Sequence, residues 1–150
     1  MTVTSLPPVS ATLLSRLAVS PEAQVREVTA PFTGRRLYDL PLASEFDVQS
    51  AADRARTVQR GWAQTPVSER VRIIRRFHNL MISKRDEALD ILQWETGKAR
   101  ADALEEVLDV AVVSQYYTKS APRLLRSRRV RGALPVLVGV EQVHKPVGLV

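Results

Sequence analysis

Between Ser44 and Pro122 apolar residues recur every three or four positions in four successive runs, and this repetition constrains the fold more than any other feature. A spacing near 3.6 places such residues on one stripe of a helix, and a striped helix is stable only when another surface covers the stripe. Ser44-Glu45-Phe46-Asp47 opens the first run with a hydroxyl and, three residues on, a carboxylate. That is the order of a capping box, with aspartate a weaker partner than glutamate. Val48, Ala51, Ala52, Ala55, Val58 and Trp62 then share a face. Thr65-Pro66 predicts the second start, a hydroxyl N-cap before a proline whose missing N–H costs nothing at the first helical position. Val67, Val71, Ile74, Phe77 and Met81 mark its stripe, and it should end near Ser83. A third helix is predicted over 85–96, burying Leu89, Ile91, Leu92 and Trp94, with Gly97 where a left-handed C-cap is needed. The fourth, 99–120, should cover Leu104, Val107, Leu108, Ala111 and Gln115, and Pro122 should stop it.

The flanks read differently. Residues 1–27 form a lead-in in which Pro7, Pro8 and Pro21 bracket Leu13, Leu14 and Leu17, enough for a short docked helix at best. The run Gln24-Val25-Arg26-Glu27-Val28-Thr29 alternates apolar and polar residues; Pro31 and Thr33-Gly34-Arg35 supply turn chemistry before Leu37 to Leu40 resume an extended pattern, which predicts a hairpin. After the helices, residues 134–150 are rich in valine and punctuated by Gly139, Pro146 and Gly148, a β pattern. Val147-Gly148-Leu149-Val150 reads as a strand cut in its middle. Hairpin, four amphipathic helices and then strands give an α/β class. The helices could bundle with one another, but the strands predict that sequence beyond these residues supplies a sheet to pack on.

Composition narrows the classes. At 150 residues, 45% hydrophobic and 25% charged, the chain matches one soluble domain or a piece of a larger one. No apolar run approaches the ~20 residues of a membrane span, and the longest, 134–140, contains Pro135 and Gly139. The first 25 residues lack a basic segment followed by an apolar one, which argues against secretion. With no cysteine there is no disulfide, thiolate nucleophile or Cys-ligated metal, and a cytoplasmic location is expected. The formal charge of +6 gathers in two arginine clusters, Arg70, Arg72, Arg75 and Arg76, and Arg123, Arg126, Arg128, Arg129 and Arg131. The second could neutralise phosphates, yet no aromatic residues are interleaved for base stacking. A solvated linker with interdomain or intersubunit salt bridges is the expected reading; a basic module for nucleic acid or an acidic partner is the alternative.

Recognisable catalytic motifs are missing. No GxGxxG follows a strand, Gly97-Lys98 lacks the rest of a phosphate loop, and no GxSxG occurs. His78 and His144 stand far apart without metal-ligand spacing, and both are expected in surface or boundary roles. Glu105 and Glu106 are adjacent and point to different parts of a helix surface, not across a reacting bond.

Taken in order, the landmarks resemble the amino-terminal region of the aldehyde dehydrogenase superfamily. They are Pro31-Phe32-Thr33-Gly34, Leu40-Pro41-Leu42-Ala43, Asp47-Val48 with Ala51 and Ala55, then Trp62, Pro66, Arg70 and Arg75. Glu95-Thr96-Gly97-Lys98, Glu106-Val107, Tyr116-Tyr117 and Lys145-Pro146-Val147-Gly148-Leu149-Val150 complete the series. Each is short; their shared order over 28–150 carries the resemblance. Phe32-Thr33-Gly34, where an Asn-Pro-Ala-Thr-Gly opening is commoner, together with Tyr116-Tyr117 and the basic stretch after Leu124-Leu125, is similar to an actinobacterial succinate-semialdehyde dehydrogenase (NADP+) group.

The resemblance implies an α/β, aldehyde dehydrogenase-like fold of which 28–150 is the amino-terminal part, cut before the dinucleotide-binding core is complete. It also implies a homo-oligomer that oxidises an aldehyde, succinate semialdehyde to succinate, with NADP or NAD. In such enzymes a cysteine thiolate attacks the carbonyl, hydride passes to the nicotinamide and a glutamate-activated water releases the acid. An asparagine steadies the tetrahedral intermediate, in a Pro-Trp-Asn segment soon after the motif matched by Pro146-Val147-Gly148. Those three residues are expected beyond residue 150, leaving the chain alone inactive and without catalytic, cofactor-binding or metal-binding residues. The strands around 134–143 would join a sheet used in oligomer contacts. The face of the fourth helix near Tyr116-Tyr117 would border the substrate entrance, which nominates Asp109 and Val113 as tunnel-lining residues.

Overall fold

The computed structural model describes residues 11–134 and 138–150. The expectations for Pro7, Pro8 and the centre of the 134–140 run lie outside them. In chain order come α1 (Ala11–Leu14), β1 (Val25–Thr29), β2 (Arg36–Pro41), α2 (Glu45–Gln64), α3 (Val67–Ser83), α4 (Arg85–Thr96), α5 (Arg100–Leu124), β3 (Arg128–Val130) and β4 (Val140–Gln142). The strands form two separate antiparallel pairs, β1 with β2 and β3 with β4.

The hairpin forms as the alternation predicts, with Val25 opposite Pro41 and Val28 opposite Tyr38. Gly34 takes a φ of 67°, the left-handed region where a Cβ would be strained, while the Ala30 N–H donates to the Arg35 carbonyl at 2.9 Å. The hairpin tip then docks on the end of α4. Phe32 meets Trp94 with ring centroids 5.0 Å apart, and the Tyr38 hydroxyl donates to the Glu95 carboxylate. Burial first, then that hydrogen bond and the Glu95 charge, push the Tyr38 phenol up to about 12, which keeps it a proton donor at neutral pH. Gly97 is the left-handed cap expected of it, with φ 74°. A Cβ there would lie 3.0 Å from Pro31 Cγ, which gives this glycine a packing duty as well.

Both halves of the capping box at Ser44 are present. Asp47 N–H donates to Ser44 Oγ at 3.2 Å, and Ser44 N–H donates to Asp47 Oδ2 at 2.9 Å. The Ser20 hydroxyl also donates to Asp47, tying the lead-in to α2. These donors, Ser20 first, hold the Asp47 carboxyl down to about 2. The α2 stripe is only half right. Ala51, Ala52 and Ala55 are half-buried, whereas Val48, Val58 and Trp62 are exposed because no element among the described residues covers them.

The α2–α3 joint differs from its predicted form. Pro66 keeps an extended ψ of 147°, so α3 opens at Val67 without a side-chain cap, and the Thr65 hydroxyl turns back to the Gly61 carbonyl. Arg70 closes the joint instead. Its Nε donates to the Thr65 carbonyl at 2.9 Å, its Nη2 to the Ala63 carbonyl at 3.2 Å, and its guanidinium lies 5.6 Å from the Trp62 ring centroid.

The core lies where α3 and α4 pack on α5. Leu89 of α4 meets Ala103 and Val107 of α5, with Met81, Ala88 and Leu92 around them. The covered stripe of α5 is Ala103, Val107, Ala111, Ser114 and Thr118, a correction to the predicted one: Leu104, Leu108 and Gln115 are exposed. Small side chains let helix backbones approach closely, and the buried hydroxyls lose no hydrogen bond. Ser114 donates to the Ala111 carbonyl at 2.9 Å and Thr118 to that of Gln115 at 2.8 Å. On α3, Val67, Val71 and Met81 are half-buried, but Ile74 and Phe77 are exposed and His78 takes their place against α5.

Two further corrections concern the end of the chain. Pro122 does not stop α5, which runs on to Leu124 and closes with the Leu125 N–H on the Ala121 carbonyl at 2.9 Å. The proline removes only one donor, and half a turn remains after it. The second arginine cluster is not all linker. Arg128, Arg129 and Val130 form β3, opposite Gln142, Glu141 and Val140 of β4. The backbone ladder needs no apolar alternation there, and every β3 and β4 side chain is exposed. Residues 147–150, read as a strand, form none, having no neighbouring strand to pair with among the described residues.

Candidate functional site

The long helix α5 presents two faces of opposite character. Its inner stripe is filled, while Asp109, Val113 and Tyr116 stand on the opposite side, one turn apart and all exposed. Tyr116 and Tyr117 meet edge to face with centroids 5.2 Å apart. Leu104, Leu108 and Val112 extend the open face, and Ile73, Ile74, Phe77 and Leu80 form a second exposed apolar strip on α3. Ile74 and Phe77 on α3 and Leu104 and Leu108 on α5 belong to the predicted stripes, and no described element covers them. Asp109 has no hydrogen bond or ion pair among the described residues, and none of those residues encloses it or Val113.

The other titratable residues singled out in the sequence find structural partners. His78 Nδ1 lies 2.9 Å from the Ala111 carbonyl and 3.3 Å from Ser114 Oγ, a clamp between α3 and α5. Glu106 pairs with Lys98, and Glu105 points away to solvent, so the two carboxylates do not converge. A seam of about 370 Å³ between Phe32, Trp94, Gln93, Gly97 and Lys98 has its polar groups already engaged. Arg100 donates to Asp90 at 2.6 Å and to Gln93 at 2.8 Å across its rim.

Among the described residues neither a metal-ligand cluster nor a glycine-lined phosphate cradle forms. No group of three or more His, Asp or Glu among the described residues converges as metal ligands would. A phosphate cradle needs glycine where a Cβ would meet the ligand. At Gly97 that space holds Pro31, while Gly34 and Gly148 face open space on an exposed turn and an irregular segment.

One concave, charged site went unread in the sequence. A cleft of about 740 Å³ opens between the last turn of α5 and the β3–β4 ribbon, with Arg123, Arg126, Arg128, Arg129, Glu141 and His144 on its walls. Arg128 Nε donates to Gln142 Oε1 at 2.9 Å across the ribbon. Finding it from sequence required pairing residues 128–130 with 140–142, and nothing in an arginine-rich run signals a strand.

The aldehyde dehydrogenase family model matches residues 18–150 of this sequence. The chain belongs to the aldehyde dehydrogenase family. A Mycolicibacterium smegmatis protein, provisionally named succinate-semialdehyde dehydrogenase (NADP+), is 43% identical over 127 residues, which cover 85% of this chain and 25% of that one. Among solved structures, the methylmalonate-semialdehyde dehydrogenase of Oceanimonas doudoroffii superposes with a TM-score of 0.72 at 29% identity, covering 80% of this chain and 24% of that one. An NAD-dependent benzaldehyde dehydrogenase of Corynebacterium glutamicum gives 0.69 at 26% identity, covering 78% and 25%. The chain thus spans about a quarter of the length of the relatives it matches, and its helices and hairpins share their aldehyde dehydrogenase fold.

Proposed function

We propose that residues 28–150 are the amino-terminal part of an NAD(P)-dependent aldehyde dehydrogenase that oxidises succinate semialdehyde to succinate. The observation that carries this reading is the 43% identity to the Mycolicibacterium smegmatis protein, whose name specifies both that substrate and NADP. The chain has no cysteine, so on this reading the nucleophile, with its partner glutamate and asparagine, comes from further sequence. The helices α3 to α5 then serve as packing layer, and their open apolar strips rest on the dinucleotide-binding domain. Asp109 and Val113 line the substrate entrance, the β3–β4 ribbon joins a sheet between subunits of a homo-oligomer, and residues 1–27 are a variable lead-in. A bound nicotinamide would supply the hydride acceptor; the residues present assign no step to it.

The test is an absorbance assay of NADPH and NADH formation by the protein encoded by the reading frame that contains this chain. Succinate semialdehyde should give a higher kcat/KM than benzaldehyde or methylmalonate semialdehyde. A preference for either competitor overturns the substrate, and failure to oxidise any aldehyde overturns the activity.

A further inference from the structure

We infer that the cleft between the end of α5 and the β3–β4 ribbon binds a small anion carrying two or more phosphoryl groups, of the size of inorganic triphosphate. Charge balance is the first argument. From Arg123 to Lys145 there are five arginines and one lysine against Glu141 alone, a balance of +5 out of the formal +6 of the chain. The remainder is close to neutral, and many of its arginines are spent on neighbours: Arg56 on Asp53, Arg72 on Glu69 and Arg100 on Asp90.

Arg123, Arg126 and Arg129 have no ion pair and no hydrogen bond among the described residues, although Glu141 stands opposite Arg129 in the ribbon register. Arg128 gives its Nε to Gln142, which orients the side chain and leaves both terminal nitrogens unspent. Holding several guanidinium groups on one concave wall is unfavourable without a counter-charge, and a guanidinium matches phosphate oxygens in pairs. Arg123 sits in the last turn of α5 and answers the helix dipole, but that effect fades within a turn and does not account for Arg128 and Arg129.

The cleft volume, about 740 Å³, lies within the ~300–1,000 Å³ range of small-molecule sites. Its lining includes Leu124 and no phenylalanine, tyrosine or tryptophan, which favours a compact phosphate chain over a stacked nucleic-acid strand.

The test is calorimetric titration of the full-length protein with sodium triphosphate at low and high salt. Saturable binding of one triphosphate per chain that weakens as salt rises is expected. The double variant Arg126→Gln/Arg129→Gln should lose at least about tenfold in affinity, since each charge-assisted contact is among the strong ones. Arg56→Gln/Arg72→Gln, on paired arginines elsewhere, should leave it unchanged. No saturation, or equal loss in both double variants, overturns the site. A single-stranded oligonucleotide that binds without competition from triphosphate overturns the ligand class. Should the cleft variant fail to fold, hydrogen exchange on the unaltered protein decides: triphosphate should slow exchange in 123–130 and 140–145, and slowing elsewhere alone refutes the proposal.

Discussion

The inner face of α5 and the β3–β4 ribbon follow one another along the chain yet are held by different physics. On α5, Ala103, Val107, Ala111, Ser114 and Thr118 are each less than a tenth exposed, and their small volumes set how closely α3 and α4 approach. In the ribbon all six strand side chains are exposed, and what aligns them is a ladder of three residue pairs. A short two-stranded ribbon without a covered face is marginal by itself. The helical layer is therefore specified by side-chain shape, and the ribbon by backbone pairing and by whatever its charges meet. The same division places the functional candidates: Asp109 and Val113 lie on the face that packing leaves open, and the basic cleft lies where packing contributes least.

The largest effect is expected from breaking the inner face. Ala103 is fully buried, and Ala103→Asp places an unpaired carboxylate between α5 and its neighbours, a loss of about 3 kcal/mol in urea unfolding followed by far-ultraviolet circular dichroism. In the 150-residue chain by itself, Leu104→Asp, on the adjacent but exposed position, should cost much less. Equal losses would mean that the covered stripe runs through Leu104, as the apolar spacing alone predicts. Gly97→Ala comes next, at about 1–2 kcal/mol, because it combines a left-handed φ with a Cβ 3.0 Å from Pro31 Cγ. The hairpin should loosen with it, read as a loss of the near-ultraviolet signal of Trp94 against Phe32. An unchanged midpoint would show that the α4 end tolerates the side chain and that the docking is loose.

Where local chemistry decides the geometry, the sequence was readable. Ser44 with Asp47, Gly34, Gly97 and the end of α3 at Ser83 stand where capping and turn rules put them. Rules based on apolar spacing succeeded for Leu89, Val107 and Ala111 but turned the α5 stripe toward Leu104 and Leu108. Those rules score a leucine above a serine, whereas close helix packing favours the smaller residue once its hydroxyl bonds its own helix. Pro122 misled because a proline rule ignores how little helix remains after it. The aldehyde dehydrogenase family was legible in the order of short motifs, some at turns and caps and others inside helices. The basic cleft was not, since it needs Val130 to pair with Val140 across the nine residues 131–139, and arginines carry no pattern for such a pairing.

The smallest effect should come from the ribbon, and it is the one that separates the two regions most sharply. Val130 pairs with Val140 at the far end of the β3–β4 ladder and is 38% exposed. Val130→Ala removes two methyl groups at an exposed position, so the unfolding free energy should change by no more than about 0.5 kcal/mol, as for surface substitutions generally. Local opening reports differently from global unfolding. The ribbon amides should exchange faster in the variant, because a β-branched cross-strand pair is lost while the amides of α5 keep their protection. Midpoint unchanged and ribbon exchange accelerated is the signature of a segment that opens independently of the helical layer. A midpoint that falls as far as it does for Ala103→Asp would join the ribbon to the same cooperative unit and remove the contrast between the two regions.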